Sequence, residues 1–216
     1  MADSDDDIPQ LPADTLAVLQ QFYTEQANEN QKLVEAVKTG NTADITLQED
    51  WQLSQFWYTD ETALRIAEEA LSIAGDTGRI ACISAPTAYK KIAEIKPATC
   101  EVKCLEFDKR FEIFKEDFLF YDYKEPLNLP LDQKHRYDIV IADPPFLSEE
   151  CLSKTSTTAK FLTKNKIILC TGAIMEDTAL KLLDAKPCKF IPKHSNQLQN
   201  EFRCYTNYES ELLNKL

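Results

Sequence analysis

Asp143, Pro144, Pro145 and Phe146 follow directly on the apolar run Tyr137–Ala142. Each of the four offers something that a reacting nitrogen needs. Proline fixes φ and has no N–H, so a Pro-Pro turn has a set shape and leaves its carbonyls free to face a ligand. The Asp143 carboxylate and the Pro144 carbonyl are two acceptors for an amine, and Phe146 offers a ring face for stacking or a cation–π contact. Two acceptors and a ring can hold an amine with its lone pair aimed at an electrophile, which is catalysis mainly by orientation. A plain turn leaving a buried strand has the same composition, so the position of the tetrapeptide must decide.

Further acids stand where a cofactor would need them. Asp108, in EFDKRF, follows a second apolar run and suits ribose hydroxyls, as in dinucleotide folds. Asp122, in FLFYDY, can accept from an adenine amino group. At the first strand end a glycine-rich loop is expected, yet the chain has Ser84, Ala85 and Pro86. With four glycines in all and no GxxxxGK[ST], a phosphate cradle is missing, which disfavours NAD and ATP. A cofactor without phosphates, such as S-adenosylmethionine, asks less of this loop. The segment WQLSQFWY, Trp51 to Tyr58, holds both tryptophans. It reads either as a packing plug or as a cover for the cofactor's methionine end, with Gln55 or Tyr58 bonding its amino-acid group. Asn200–Arg203 can shape the target pocket, whereas His135 and His194 have no nucleophile or carboxylate beside them, which argues against a hydrolytic triad.

The elements that must hold these residues alternate along the chain. Apolar runs predict strands at Arg79–Ser84, Val102–Phe107, Phe118–Tyr121, Tyr137–Ala142 and Lys166–Cys170, and near the end at Pro187–Ile191 and Glu201–Tyr208. Helical spacing predicts Asp60–Ala74, with Leu64, Ala67, Leu71 and Ala74 on one face and Gly75 as cap. It also predicts Thr87–Ile95, Ser148–Thr163 with Ser148 as cap, and Met175–Leu183. The pattern is α/β, a doubly wound, mostly parallel sheet with helices on both faces and an antiparallel edge. Ligands bind such sheets at the carboxyl ends of the strands, which is where Asp108, Asp122 and the Asp143 tetrapeptide stand.

Of the 216 residues, 28% are charged and 44% hydrophobic, and no run is long enough for a membrane span. The net charge of -12 is mostly a leader: residues 1–50 hold 11 acids and 2 bases. That leader is expected to be an acidic extension, partly disordered, with helices from Asp14 (as N-cap) and over Glu29–Lys38; residues 51–216 form the catalytic domain. The acidic start has the wrong sign for a secretory or mitochondrial leader. Seven scattered cysteines, an odd number, point to buried thiols in a reducing compartment and to no metal site. An acidic protein is a poor non-specific binder of phosphate backbones, although residues 154–193 carry 8 lysines against 3 acids.

The stretches EDWQLSQFWY, RIACISAP, EFDKRF, DIVIADPPF, LSEECL, CTGAIMED and NEFRCYTNY together resemble the eukaryotic elongation factor 1-alpha lysine methyltransferases, a family once labelled N6-adenine methyltransferase-like for its DPPY/F motif. The resemblance spans residues 10–208. It implies a seven-stranded, Rossmann-like class I methyltransferase fold and transfer of methyl from S-adenosylmethionine to a lysine of the translation factor. It also implies that Asp143, Pro144, Pro145 and Phe146 line the amine site and Asp108 takes the ribose. The expectation is a cytoplasmic monomer that holds neither nucleic acid stably nor membrane. Because DPPF is shared with adenine methyltransferases, N6-adenine methylation of RNA or DNA is the alternative, and a non-catalytic binding module on the same fold is a third reading.

Overall fold

The structure, a computed structural model, describes residues 12, 14–21, 23–24, 28, 31, 47, 49–50, 53, 55–196 and 199–215. The chain divides into two units, Met1–Thr46 and Leu47–Leu216. In the first, residues 14–21 are helical and the Leu16 N–H donates to the Pro12 carbonyl, so Asp14 sits inside the helix rather than capping it. The second expected leader helix, Glu29–Lys38, falls almost wholly outside the described residues.

In the second unit, seven strands form one sheet: β1 (Arg79–Ile83), β2 (Glu101–Glu106), β3 (Phe118–Phe120), β4 (Tyr137–Ala142), β5 (Thr163–Gly172), β6 (Lys186–Pro187) and β7 (Phe202–Thr206). Their order is β3-β2-β1-β4-β5-β7-β6, and β7 runs antiparallel to both of its neighbours. Side chains alternate across the sheet. Ile80, Cys82, Ile139 and Ile141 enter one core layer, while Ala81, Ile83, Val140 and Ala142 enter the other. Strands buried on both faces need continuous apolar runs, which is why RIACI and YDIVIA read as they do.

Helices α1 (Asp60–Ala74) and α2 (Pro86–Ile95) serve the first layer; α3 (Glu149–Leu162) and α4 (Glu176–Leu183) serve the second. The buried stripe of α1 is Ala63, Ile66, Ala67 and Ala70, one position off the expected Leu64, Ala67, Leu71 and Ala74 face. Small alanines admit the close approach to the strands, and Leu71 and Ala74 pack at the margin. The helix ends at Gly75, with φ 66° and ψ -168°, a backbone region open essentially to glycine alone. Ser148 caps α3 as expected, its Oγ accepting from the Cys151 N–H at 3.2 Å, a contact worth about 1 kcal/mol.

Three strands differ from expectation, β7 among them, which spans only Phe202–Thr206 of the expected Glu201–Tyr208. β5 is longer, running to Gly172. β6 is two residues instead of the expected Pro187–Ile191. The Cys188 N–H still donates to the Cys204 carbonyl at 2.8 Å, but the Phe190 N–H turns away to the Leu213 carbonyl, so the ladder goes no further. All seven cysteines are free thiols, and six are buried. Among the described residues, no helix is long and apolar enough to cross a membrane.

Candidate active site

The loops leaving β1, β2, β3 and β4 surround one cavity of about 420 Å³. Ten of the residues singled out from the sequence reach its wall: Tyr58, Ser84, Ala85, Pro86, Asp108, Asp122, Asp143, Pro144, Pro145 and Phe146; Glu201 and Arg203 do not, and pair with each other.

At the end of β1, Ser84 takes φ 51°, the left-handed backbone for which a glycine was expected. Its N–H donates to the Leu105 carbonyl at 2.9 Å, and this link to β2 helps hold the turn. The strain of a non-glycine residue there is about 1 kcal/mol. Ala85 then starts α2 without a side-chain cap, so the first N–H groups of this helix remain available beside the cavity.

Two acids stand at the end of β2. Asp108 is buried and fully engaged: it accepts from the Gln55 Nε2 at 2.9 Å, and from the Arg110 N–H at 2.9 Å, with the Arg110 guanidinium at 2.6 Å. Glu106, which the sequence reading passed over, is the last residue of β2 and also lines the cavity. Its Oε2 accepts from the Phe107 N–H at 2.6 Å, leaving Oε1 to the cavity side. Burial pushes the Glu106 carboxyl up to about 7 despite those backbone N–H groups. The signal that could have found it is its position, since strand ends and not loop residues carry such acids in this fold class. Asp122 reaches the cavity from beyond β3, with one oxygen accepting from the Lys124 N–H.

Asp143 leaves β4 with its N–H on the Ile83 carbonyl at 3.0 Å. Its Oδ2 accepts from the Tyr58 hydroxyl at 2.5 Å. Burial pushes the Asp143 carboxyl up to about 7, and the Glu106 charge adds to this while the Tyr58 hydrogen bond opposes it. Phe146 is 45% exposed at the rim and meets Tyr123 edge-on at 5.7 Å between ring centroids.

In the aromatic segment, Tyr58 and Gln55 are the candidates to bond a cofactor's amino-acid group. The Tyr58 hydroxyl donates to Asp143, and the Gln55 side chain links Asp108, Arg110 and the Asp50 N–H. The Trp57 Nε1 is buried with no hydrogen-bond partner. Trp51, Gln52 and Ser54 lie outside the described residues. His194, set aside from sequence as a loop residue, lines the cavity against Tyr58 and Phe202, and burial holds its pKa below the ordinary value. Asn200 and Phe202 reach the same wall.

A sheet of this order, with a cavity of this kind at its carboxyl edge, defines the class I methyltransferase fold. The chain belongs to the family described as "Probable N6-adenine methyltransferase", whose model matches residues 49–210. It is 58% identical over 214 residues to "EEF1A lysine methyltransferase 1" of Gallus gallus, covering 98% of this chain and 100% of that one. It is 55% identical over 210 residues to the Mus musculus protein of the same name, covering 96% of each. Among solved structures, the branched-chain polyamine synthase C9 mutein from Thermus thermophilus, in complex with N4-aminopropylspermidine and 5'-methylthioadenosine, superposes with a TM-score of 0.58 at 12% identity, a likeness of fold alone. That match covers 82% of this chain and 61% of the synthase.

Proposed function

We propose that this chain is a protein-lysine N-methyltransferase that moves a methyl group from S-adenosylmethionine to a lysine ε-amine of translation elongation factor 1-alpha. The observation that carries this reading is the charge of the cavity. Glu106, Asp108, Asp122 and Asp143 line it against Lys124, and Asp108 is neutralised by Arg110. Such a wall repels phosphates and favours cations, and a cation nearby relieves what burial imposes on Glu106 and Asp143. The name shared by the two relatives supports the translation factor as the protein substrate.

The residues fit S-adenosylmethionine, which when bound supplies a methyl group on a cationic sulfur. Glu106, with a free oxygen, is the acceptor for the ribose hydroxyls, and Asp108 fixes the loop beside it through Arg110. Asp122 serves the adenine amino group. Ser84, Ala85, Pro86 and the uncapped start of α2 suit the amino-acid carboxylate, since a helix N-terminus favours an anion.

The target amine must arrive neutral. An ordinary lysine has a pKa near 10.4, so only about one in a thousand is neutral at pH 7.4. Its proton leaves to water as the side chain enters the site. Asp143, ionised above about 7, then accepts an N–H of the neutral amine. The Pro144 carbonyl is the second acceptor and Phe146 flanks the alkyl stem, so the lone pair is held on one line. After transfer the methylated amine is cationic, and Asp143 stabilises it as a counter-charge.

The chain acts as a monomer in the cytoplasm without holding nucleic acid stably; its free thiols support a reducing compartment. The test is transfer of labelled methyl from S-adenosylmethionine into a cell lysate, separated into protein and nucleic-acid fractions. One labelled protein band at the size of elongation factor 1-alpha, absent with Asp143→Ala, is the expected result. Label in the nucleic-acid fraction would replace this reading with adenine methylation.

A further inference from the structure

We infer that Tyr58 is a positioning residue that aims and ionises Asp143; the inference rests on the reaction proposed above. Tyr58 is 85 positions from Asp143 in sequence, and its hydroxyl donates to Oδ2 at 2.5 Å. Both ends of this contact are held by backbone. On one side, the Thr59 N–H donates to the Lys193 carbonyl at 2.9 Å and the Ser195 N–H to the Trp57 carbonyl at 2.8 Å. The Ser195 hydroxyl adds a bond to the Tyr58 carbonyl at 3.2 Å. On the other side, the Asp143 N–H is fixed on β1. The Tyr58 ring is 3% exposed and its centroid lies 5.2 Å from that of His194. The hydroxyl is therefore placed by the frame rather than by rotamer choice.

Two consequences follow for Asp143. With Oδ2 occupied, Oδ1 is left as the acceptor for a substrate N–H, so the carboxylate presents one oxygen in one direction. In addition, a donor to the ionised form keeps that form accessible at a lower pH than burial alone allows. The other groups facing Asp143 do not supply this. Glu106 on β2 is an acid and works against ionisation, and the Cys151 thiol on α3 adds no positive charge. Cys170 on β5 lies against Tyr58, and burial favours the neutral form of His194. Burial, followed by the Asp143 charge, keeps Tyr58 itself protonated, so it remains a donor throughout the working pH range.

The primary test needs no substrate: the Asp143 carboxyl is titrated by carbon-13 NMR in the ligand-free protein, with Asp143→Asn giving the assignment. In Tyr58→Phe the Asp143 titration rises by about one to two pH units, the effect of losing a hydrogen bond to a charged group. With 3-fluorotyrosine at position 58, a stronger donor, it falls; this second variant keeps the test valid if Tyr58→Phe folds poorly. In methyl transfer, Tyr58→Phe loses roughly ten-fold more in kcat at pH 7 than at pH 9, following the ionised fraction, and the loss that persists at pH 9 reads the aim of the carboxylate. Its affinity for S-adenosylmethionine stays within about two-fold. An unmoved Asp143 titration in both variants overturns the inference. So does a loss of cofactor affinity with kcat intact, which makes Tyr58 a cofactor ligand. If wild-type protein methylates no elongation factor, the functional reading fails, and the NMR titration still decides the role of Tyr58.

Discussion

Replacing Asp143 by Asn should abolish methyl transfer and yet make the protein more stable, in a pH-dependent way. The carboxyl titrates near 3.9 in an unfolded chain, and burial pushes it up to about 7 in the fold. The folded state thus binds this proton more tightly than the unfolded state. Its stability falls as pH rises from about 4 to about 7, and the whole penalty is present above 7. At about 1.4 kcal/mol per unit the penalty approaches 4 kcal/mol; halving it because one oxygen looks into an open cavity leaves about 2 kcal/mol. Asn keeps an acceptor for the Tyr58 hydroxyl and carries no charge, so Asp143→Asn gains about that amount at pH 8 and less than about 1 kcal/mol at pH 5. In a body of this size, that is a rise of roughly 4 to 8 °C in Tm at pH 8 and much less at pH 5. Thermal melts of both proteins at the two pH values make the measurement. An equal shift at both, or a loss at pH 8, would show that the site does not oppose the charge and refute the argument.

Two further outcomes separate roles within the same wall. Glu106→Gln should weaken S-adenosylmethionine binding by about ten-fold or more at pH 8 with little loss of Tm, whereas Asp108→Asn should cost about 1 to 3 kcal/mol by loosening Arg110 and Gln55; calorimetric titration and melts on both variants test this, and the reverse pattern returns the ribose to Asp108. Ser84→Gly should be neutral or stabilise by up to about 1 kcal/mol, because it removes left-handed strain, while Ser84→Val should destabilise by more than that; urea unfolding gives both numbers.

Much of the scaffold was legible because a doubly buried sheet writes itself as apolar runs. Tyr137–Ala142 is the same strand in sequence and structure, and Ser148 marks the start of α3 in both. The tetrapeptide from Asp143 to Phe146 was found by its place after such a run. What stayed hidden was contact across the chain. Tyr58 meets Asp143, and His194 meets Tyr58, only after a short bridge joins two irregular segments that carry no period of their own. Glu106 was masked by a neighbour of the same charge, since only the register of β2 tells which acid ends the strand and which enters the following turn. The shortness of β6 depended on where the Phe190 N–H goes, a tertiary fact that no local preference encodes.

The place of β7 has a bearing on synthesis. β7 is inserted between β5 and β6, although both precede it in the chain. Until residues 202–206 leave the ribosome, β5 keeps an open edge along Ile168–Gly172 and β6 has no neighbour at all. An apolar edge of that kind is a template for pairing with other chains. The nascent protein therefore carries this exposed edge through the 29 residues between Gly172 and Phe202, until one late strand covers it.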